Sequence, residues 1–77
     1  MSDIKQCNTE AIKKAIAILG SGWKLAKKIG VNPPTVYSWT SGQRSPDPIN
    51  CLRIQKATEG QVKARDILPN YDWDNVI

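Results

Sequence analysis

Apolar residues recur along this chain at three- and four-residue intervals and never alternate singly, a pattern that predicts helices and no strands. Ile12, Ala15, Ile16 and Leu19 form the first stripe. Asn8 or Thr9 caps that helix, Glu10 suits its first turn and Gly20 stops it. Ser21 caps a second, short helix to about Lys28, with Leu25, Ala26 and Ile29 inward and Gly30 as its stop. Asn32, ahead of Pro33 and Pro34, opens a third helix reaching about Ser41. Pro34 disfavours the helical region for Pro33, so this helix is expected to start one residue late. Gly42 ends it, and residues 43–46 form a loop. Asp47 and Pro48 open a fourth helix over 48–58, with Cys51, Ile54 and Ala57 on its apolar face. A fifth, about 63–68, stops at Pro69. Residues 1–7 read as a frayed end. The whole is all-α, a compact domain of four or five helices, and 77 residues leave room for one such domain over 1–77.

Residues 21–42 carry the most information. Ala26 is small, Gly30 follows four residues on, and Val36 and Trp39 sit three apart. Each has a steric reason if two helices cross steeply through a short turn. Ala26 admits the second helix, Gly30 makes the turn, and Val36 and Trp39 face inward. This is helix-turn-helix geometry, in which the second helix enters the DNA major groove. At about 100° per residue, the side opposite Val36 and Trp39 holds Pro34, Tyr37, Ser38 and Ser41, with Thr35 and Thr40 on the flanks. Base contacts are therefore assigned to Pro34, Thr35, Tyr37, Ser38 and Ser41, and to Arg44 just beyond the helix. This is a sparse reading head. It carries no Arg, Lys, Asn or Gln within the helix, the residues that pair bidentately with bases.

Charge fits that placement. The chain has 11 Lys and Arg against 7 Asp and Glu, a net charge of +4. Its distribution is lopsided: residues 1–45 carry seven cations and two anions, residues 46–77 four cations and five anions. A basic half suits a polyanion and a slightly acidic half suits something else. Phosphate contacts are assigned to Ser21, at a helix start that favours anions, to Lys24 and Lys28, and to Asn32 and Gln43. Asn32 has a second reading as a cap, and Lys13, Lys14 and Lys27 read better as solvated surface.

These residues bring a resemblance. Leu25 to Val31, Val36 and Trp39, then Pro48, Cys51, Ile54, Ala57, Thr58, Gly60, Val62 and Ile67-Leu68-Pro69 resemble the YdaS/Cro-like family of prophage helix-turn-helix regulators. The resemblance covers about residues 11–73. It implies a Cro/repressor-type helix-turn-helix fold, binding to a palindromic operator in double-stranded DNA as a homodimer, and members that are repressors or antitoxins. The chain departs from the pattern at Pro33 and Ser38, where relatives often carry Gln, and at Lys63, where they often carry a capping Thr.

The remaining features refine the picture. No His is present, which excludes His-based catalysis and His-containing zinc sites, and two cysteines 44 positions apart make no CxxC. The expectation is a protein that is not an enzyme, needs no metal or cofactor, spans no membrane, opens with no signal peptide and works in the bacterial cytoplasm, on the nucleoid when bound. Cys51 reads as a small buried hydrophobe and Cys7 as exposed. Trp23 is expected to pack on the first helix, and Asp66, Asp72 and Asp74 to be solvated. The tail 70–77 is apolar for a terminus. Trp73 either covers the core or joins Tyr71 and Val76 in a dimer surface. The competing function is a protein-interaction module, antitoxin-like, that holds a toxin or another regulator through the C-terminal half.

Overall fold

The computed structural model describes residues 7–75, and within them five helices surround one apolar core. They are α1 (Thr9–Leu19), α2 (Gly22–Ile29), α3 (Pro33–Thr40), α4 (Pro48–Ala57) and α5 (Ala64–Ile67), followed by a 3₁₀ turn at Trp73–Asn75. Local chemistry sets the boundaries. The Asn8 side chain accepts from the Glu10 N–H, Ser21 from Lys24 and Asp47 from Asn50. Gly30, with φ at 83°, ends α2 in the left-handed region that a side chain resists. The N–H groups of Gly30 and Val31 both reach the Ala26 carbonyl at 2.9 Å.

α3 begins at Pro33, not one residue later. The clash that disfavours helix before a proline involves the preceding residue's N–H and Cβ. Pro33 has no N–H, so part of that clash is absent.

The core joins Ile12 and Ala15 of α1, Leu25, Ala26 and Ile29 of α2, Val36 and Trp39 of α3, and Cys51 and Ile54 of α4. Ile16 and Leu19 pack on it half-buried. Val62, Ala64, Ile67 and Trp73 close it from below. The turn between α4 and α5 hangs on Thr58, which is buried. Its hydroxyl accepts the Val62 N–H at 3.1 Å and donates its hydrogen toward the Ile54 carbonyl at 2.9 Å. Lys63 offers no capping side chain. The Gln55 side chain accepts the Ala64 N–H and the Asp66 carboxylate accepts the Lys63 N–H instead.

Three expectations are corrected here. Cys7 is buried, at 7% exposure, because it lies against the loop after α3, with its thiol directed at the Arg44 carbonyl. Trp23 is 67% exposed. It lies one residue off the stripe of Gly22, Leu25, Ala26 and Ile29 that α2 buries, so helical phase turns it outward. Asp66, Asp72 and Asp74 are exposed as expected, Asp66 also accepting the Lys63 N–H and Asp74 pairing with Arg65 at 3.4 Å. Asn32 makes no side-chain cap. The frayed end expected over 1–7 lies outside the described residues except for Cys7.

Cys51 is fully buried, its thiol directed at the Pro46 carbonyl. Burial, with smaller contributions from Cys7 and Asp47, pushes the thiol from an ordinary 9.0 up to about 12. Unfolding releases that constraint. The unfolded thiol therefore loses its proton from about pH 9 while the folded one keeps it. The stability Cys51 contributes is complete below pH 9 and is lost as pH rises toward 12. Cys51→Val is expected to flatten that part of the alkaline decline in urea midpoints. A decline identical in both proteins over pH 9–11 would contradict this.

Candidate nucleic-acid interface

α2 and α3 pack through Ala26, Val36 and Trp39, which leaves the opposite side of α3 exposed. Pro34, Tyr37 and Ser41 are exposed there, and Thr35, Ser38 and Thr40 are half-buried. The expected base-contact residues therefore share one open face.

Tyr37 does more than project outward. Its ring lies over Gly22, so near that a Cβ on Gly22 would stand 2.6 Å from Cζ and 2.7 Å from the hydroxyl oxygen. The hydroxyl thus lies at the start of α2, the helix that Ser21 caps. Sequence reasoning had no signal for this, because Gly22 and Tyr37 sit in different helices. Gly22→Ala must swing the ring away. The domain is expected to stay folded, since only the flexible end of a side chain obstructs the methyl and alanine suits a helix better than glycine. DNA affinity is expected to fall several-fold in an anisotropy titration. Unchanged affinity together with an unchanged melting temperature would separate Tyr37 from binding.

The loop after α3 is ordered. The Ser38 carbonyl accepts the N–H of Gln43 at 3.1 Å and of Arg44 at 3.2 Å. Gln43 and Arg44 are exposed at the C-terminal end of α3, with no side-chain partner among the described residues. Ser38, Thr40 and Ser41 turn their hydroxyl hydrogens back onto the carbonyls of Thr35, Tyr37 and Ser38, at 2.6, 2.8 and 3.1 Å.

The expected phosphate contacts divide into groups. Ser21 and Lys24 stand at the α2 start with the Tyr37 ring, and the Lys24 side chain lies over Gly20. Asn32 and Gln43 flank the two ends of α3. Lys28 stands apart. It lines a cleft of about 440 Å³ with Ile29, Arg53, Lys56 and Ala57. Arg53 also donates to the Ile29 carbonyl at 3.3 Å, at the end of α2. Arg53 and Lys56 were not expected beside Lys28. Their three-residue spacing on α4 was visible, but only the packing of α4 against α2 joins them to the basic side.

Of the three residues assigned to a dimer surface, Trp73 is 3% exposed and belongs to the core, which was its other reading. Tyr71 is 43% exposed and stays available. Val76 lies outside the described residues. Among the described residues no cluster of His, Cys, Asp or Glu is suited to a metal ion, and no helix is long and apolar enough to cross a membrane.

Five short helices with an exposed second helix across a glycine turn define the helix-turn-helix class. Comparison with known proteins gives the family. A family model described as "Bacterial toxin YdaS" matches residues 12–76, and the chain belongs to that family. It is 35% identical over 63 residues to a protein of Escherichia coli (strain K12) named "Putative transcriptional regulator YdaS", covering 82% of this chain and 64% of that one. It is 32% identical over 66 residues to "Regulatory protein cro" of Pseudomonas phage D3, covering 86% of this chain and 90% of that one. The chain thus spans just under two thirds of the Escherichia coli relative. No solved structure gives a significant match.

Proposed function

We propose that this protein is a sequence-specific DNA-binding transcriptional regulator, a Cro-like repressor that occupies a short palindromic operator as a homodimer in the bacterial cytoplasm. The observation that carries the reading is the open face of α3. It meets the start of α2 where the Tyr37 ring lies over Gly22, and Lys24 on α2 and Arg44 beyond α3 are both exposed. The names of the two relatives, both regulators, agree with it. Occupying a promoter excludes polymerase without any chemistry, so the reading needs neither catalysis nor cofactor. Two copies would present two recognition helices to half-sites about one helical turn apart.

A salt titration tests it. Affinity for duplex DNA should fall linearly on logarithmic axes, with a slope that counts the phosphates contacted. Sedimentation of the complex should give two chains per duplex. Binding insensitive to salt, or none at low salt, would defeat the proposal.

A second reading has its own support. The family description contains the word toxin, which departs from the antitoxin role that the resemblance implied. The C-terminal half also leaves Ile49 59% exposed, with Tyr71 beyond it. In that reading these residues hold a protein partner. Ile49→Ala and Tyr71→Ala would then abolish partner capture and leave duplex binding by the isolated protein intact.

A further inference from the structure

The two prolines that open α3 change what its polar neighbours have left to offer. An N-cap side chain ordinarily accepts from the N–H of the second or third helical residue. The second residue here, Pro34, has none. The third, Thr35, donates its N–H to the Asn32 backbone carbonyl at 2.9 Å. The Asn32 carboxamide therefore caps nothing and is exposed, with no side-chain partner among the described residues. Asn8, Ser21 and Asp47 contrast with it, since each accepts a backbone N–H.

The hydroxyls further along α3 are in the opposite state. Each has one hydrogen, and those of Ser38, Thr40 and Ser41 already go to helix carbonyls. They meet a groove as acceptors only. They suit the amino groups of adenine or cytosine, and they offer nothing to N7, O6 or O4. Tyr37 has its hydroxyl over Gly22. Pro34 has no polar side chain, and Thr35 offers a single oxygen. At the leading end of α3, only Asn32 places a donor and an acceptor side by side on one planar group.

We propose that Asn32 is the direct base-reading residue of this domain and pairs bidentately with an adenine, donating to N7 and accepting from the N6 amino group. The inference rests on the DNA-binding reading above, and it moves Asn32 from phosphate contact to base contact. Recognition helices bring their N-terminal residues to the base edges, where Asn32 stands. Arg44 lies beyond the other end of α3, a helix of eight residues or about 12 Å.

The test uses the intact protein, a duplex enriched from a random pool, and a scrambled duplex of the same composition. Anisotropy titrations compare wild type with Asn32→Ala. 7-Deaza-adenine, which lacks the N7 acceptor, replaces each adenine of the enriched duplex in turn. Asn32→Ala should lose about 10- to 100-fold on the enriched duplex and nothing on the scrambled one, with an unchanged salt slope. One adenine should show a similar loss on N7 removal with wild type and none with Asn32→Ala. The variant should melt with wild type, because Asn32 caps nothing. The deaza series with wild type can overturn the proposal even if the variant is unstable. Equal losses on both duplexes with a shallower salt slope would make Asn32 a phosphate contact and overturn the proposal. So would insensitivity to every 7-deaza substitution. Failure of wild type to bind any duplex would instead refute the DNA-binding reading, and that result is read first.

Discussion

Trp73→Ala is expected to cost about 3–5 kcal/mol, the usual loss when a core tryptophan is truncated. A domain of this length holds about 4–12 kcal/mol in all. The melting temperature should therefore fall on the order of 15–30 °C. The structure says why Trp73 matters so much. Trp73 is buried, and its indole N–H donates to the Leu68 carbonyl at 2.8 Å. Its ring lies 4.9 Å from that of Tyr71 and borders a crevice with Leu52, Gln55, Ala64 and Arg65. It thus fastens α5 to α4. Trp73→Phe keeps most of the apolar contact and loses the hydrogen bond, so its loss should be nearer 1–2 kcal/mol, approximately. Tyr71→Ala, at an exposed position, should cost under about 1 kcal/mol. Urea denaturation of the three variants checks the order. A Trp73→Ala protein as stable as Tyr71→Ala would place Trp73 outside the core. One consequence is practical: removing residues 71–77 would probe folding and not dimerisation, so a dimer surface is better tested at Tyr71.

Arg44→Ala should weaken operator binding far more than Ser38→Ala. Arg44 is exposed beyond α3 on a loop pinned to the Ser38 carbonyl, and its guanidinium has no partner among the described residues. It is available to pair with guanine or clamp a phosphate, and the loss expected is about 1–3 kcal/mol, or roughly 5- to 150-fold. The Ser38 hydroxyl gives its hydrogen to the Thr35 carbonyl at 2.6 Å and keeps only acceptor capacity. Its removal should change affinity by about threefold at most. Side-by-side titrations on one enriched duplex measure both. Equal losses would mean that Ser38 breaks its internal bond to read a base.

The fold was legible where local chemistry dictates it. Asn8, Ser21 and Asp47 cap helices as their residue types require, and Gly20 and Gly30 stop them. The inward positions Ala26, Val36 and Trp39 followed from steric need at a helix crossing. What stayed hidden depends on contacts across the chain. Cys7 is buried by a loop 37 residues away. Tyr37 meets Gly22, and Lys28 meets Arg53 and Lys56, only after helices pack. Trp73 had two readings that periodicity could not separate, because a short apolar tail has no phase. Asn32 is different. Two consecutive prolines announce one missing N–H, but the other possible partner, the N–H of Thr35, is taken by the Asn32 carbonyl only in the fold.

The central claim is sequence-specific recognition of duplex DNA, and selection from a random duplex pool tests it most directly. Wild-type protein should retain a fraction whose sequencing yields an inverted repeat, with half-sites about one helical turn apart and an adenine in each. Salt-dependent retention with no enriched sequence, or no retention at low salt, would contradict it.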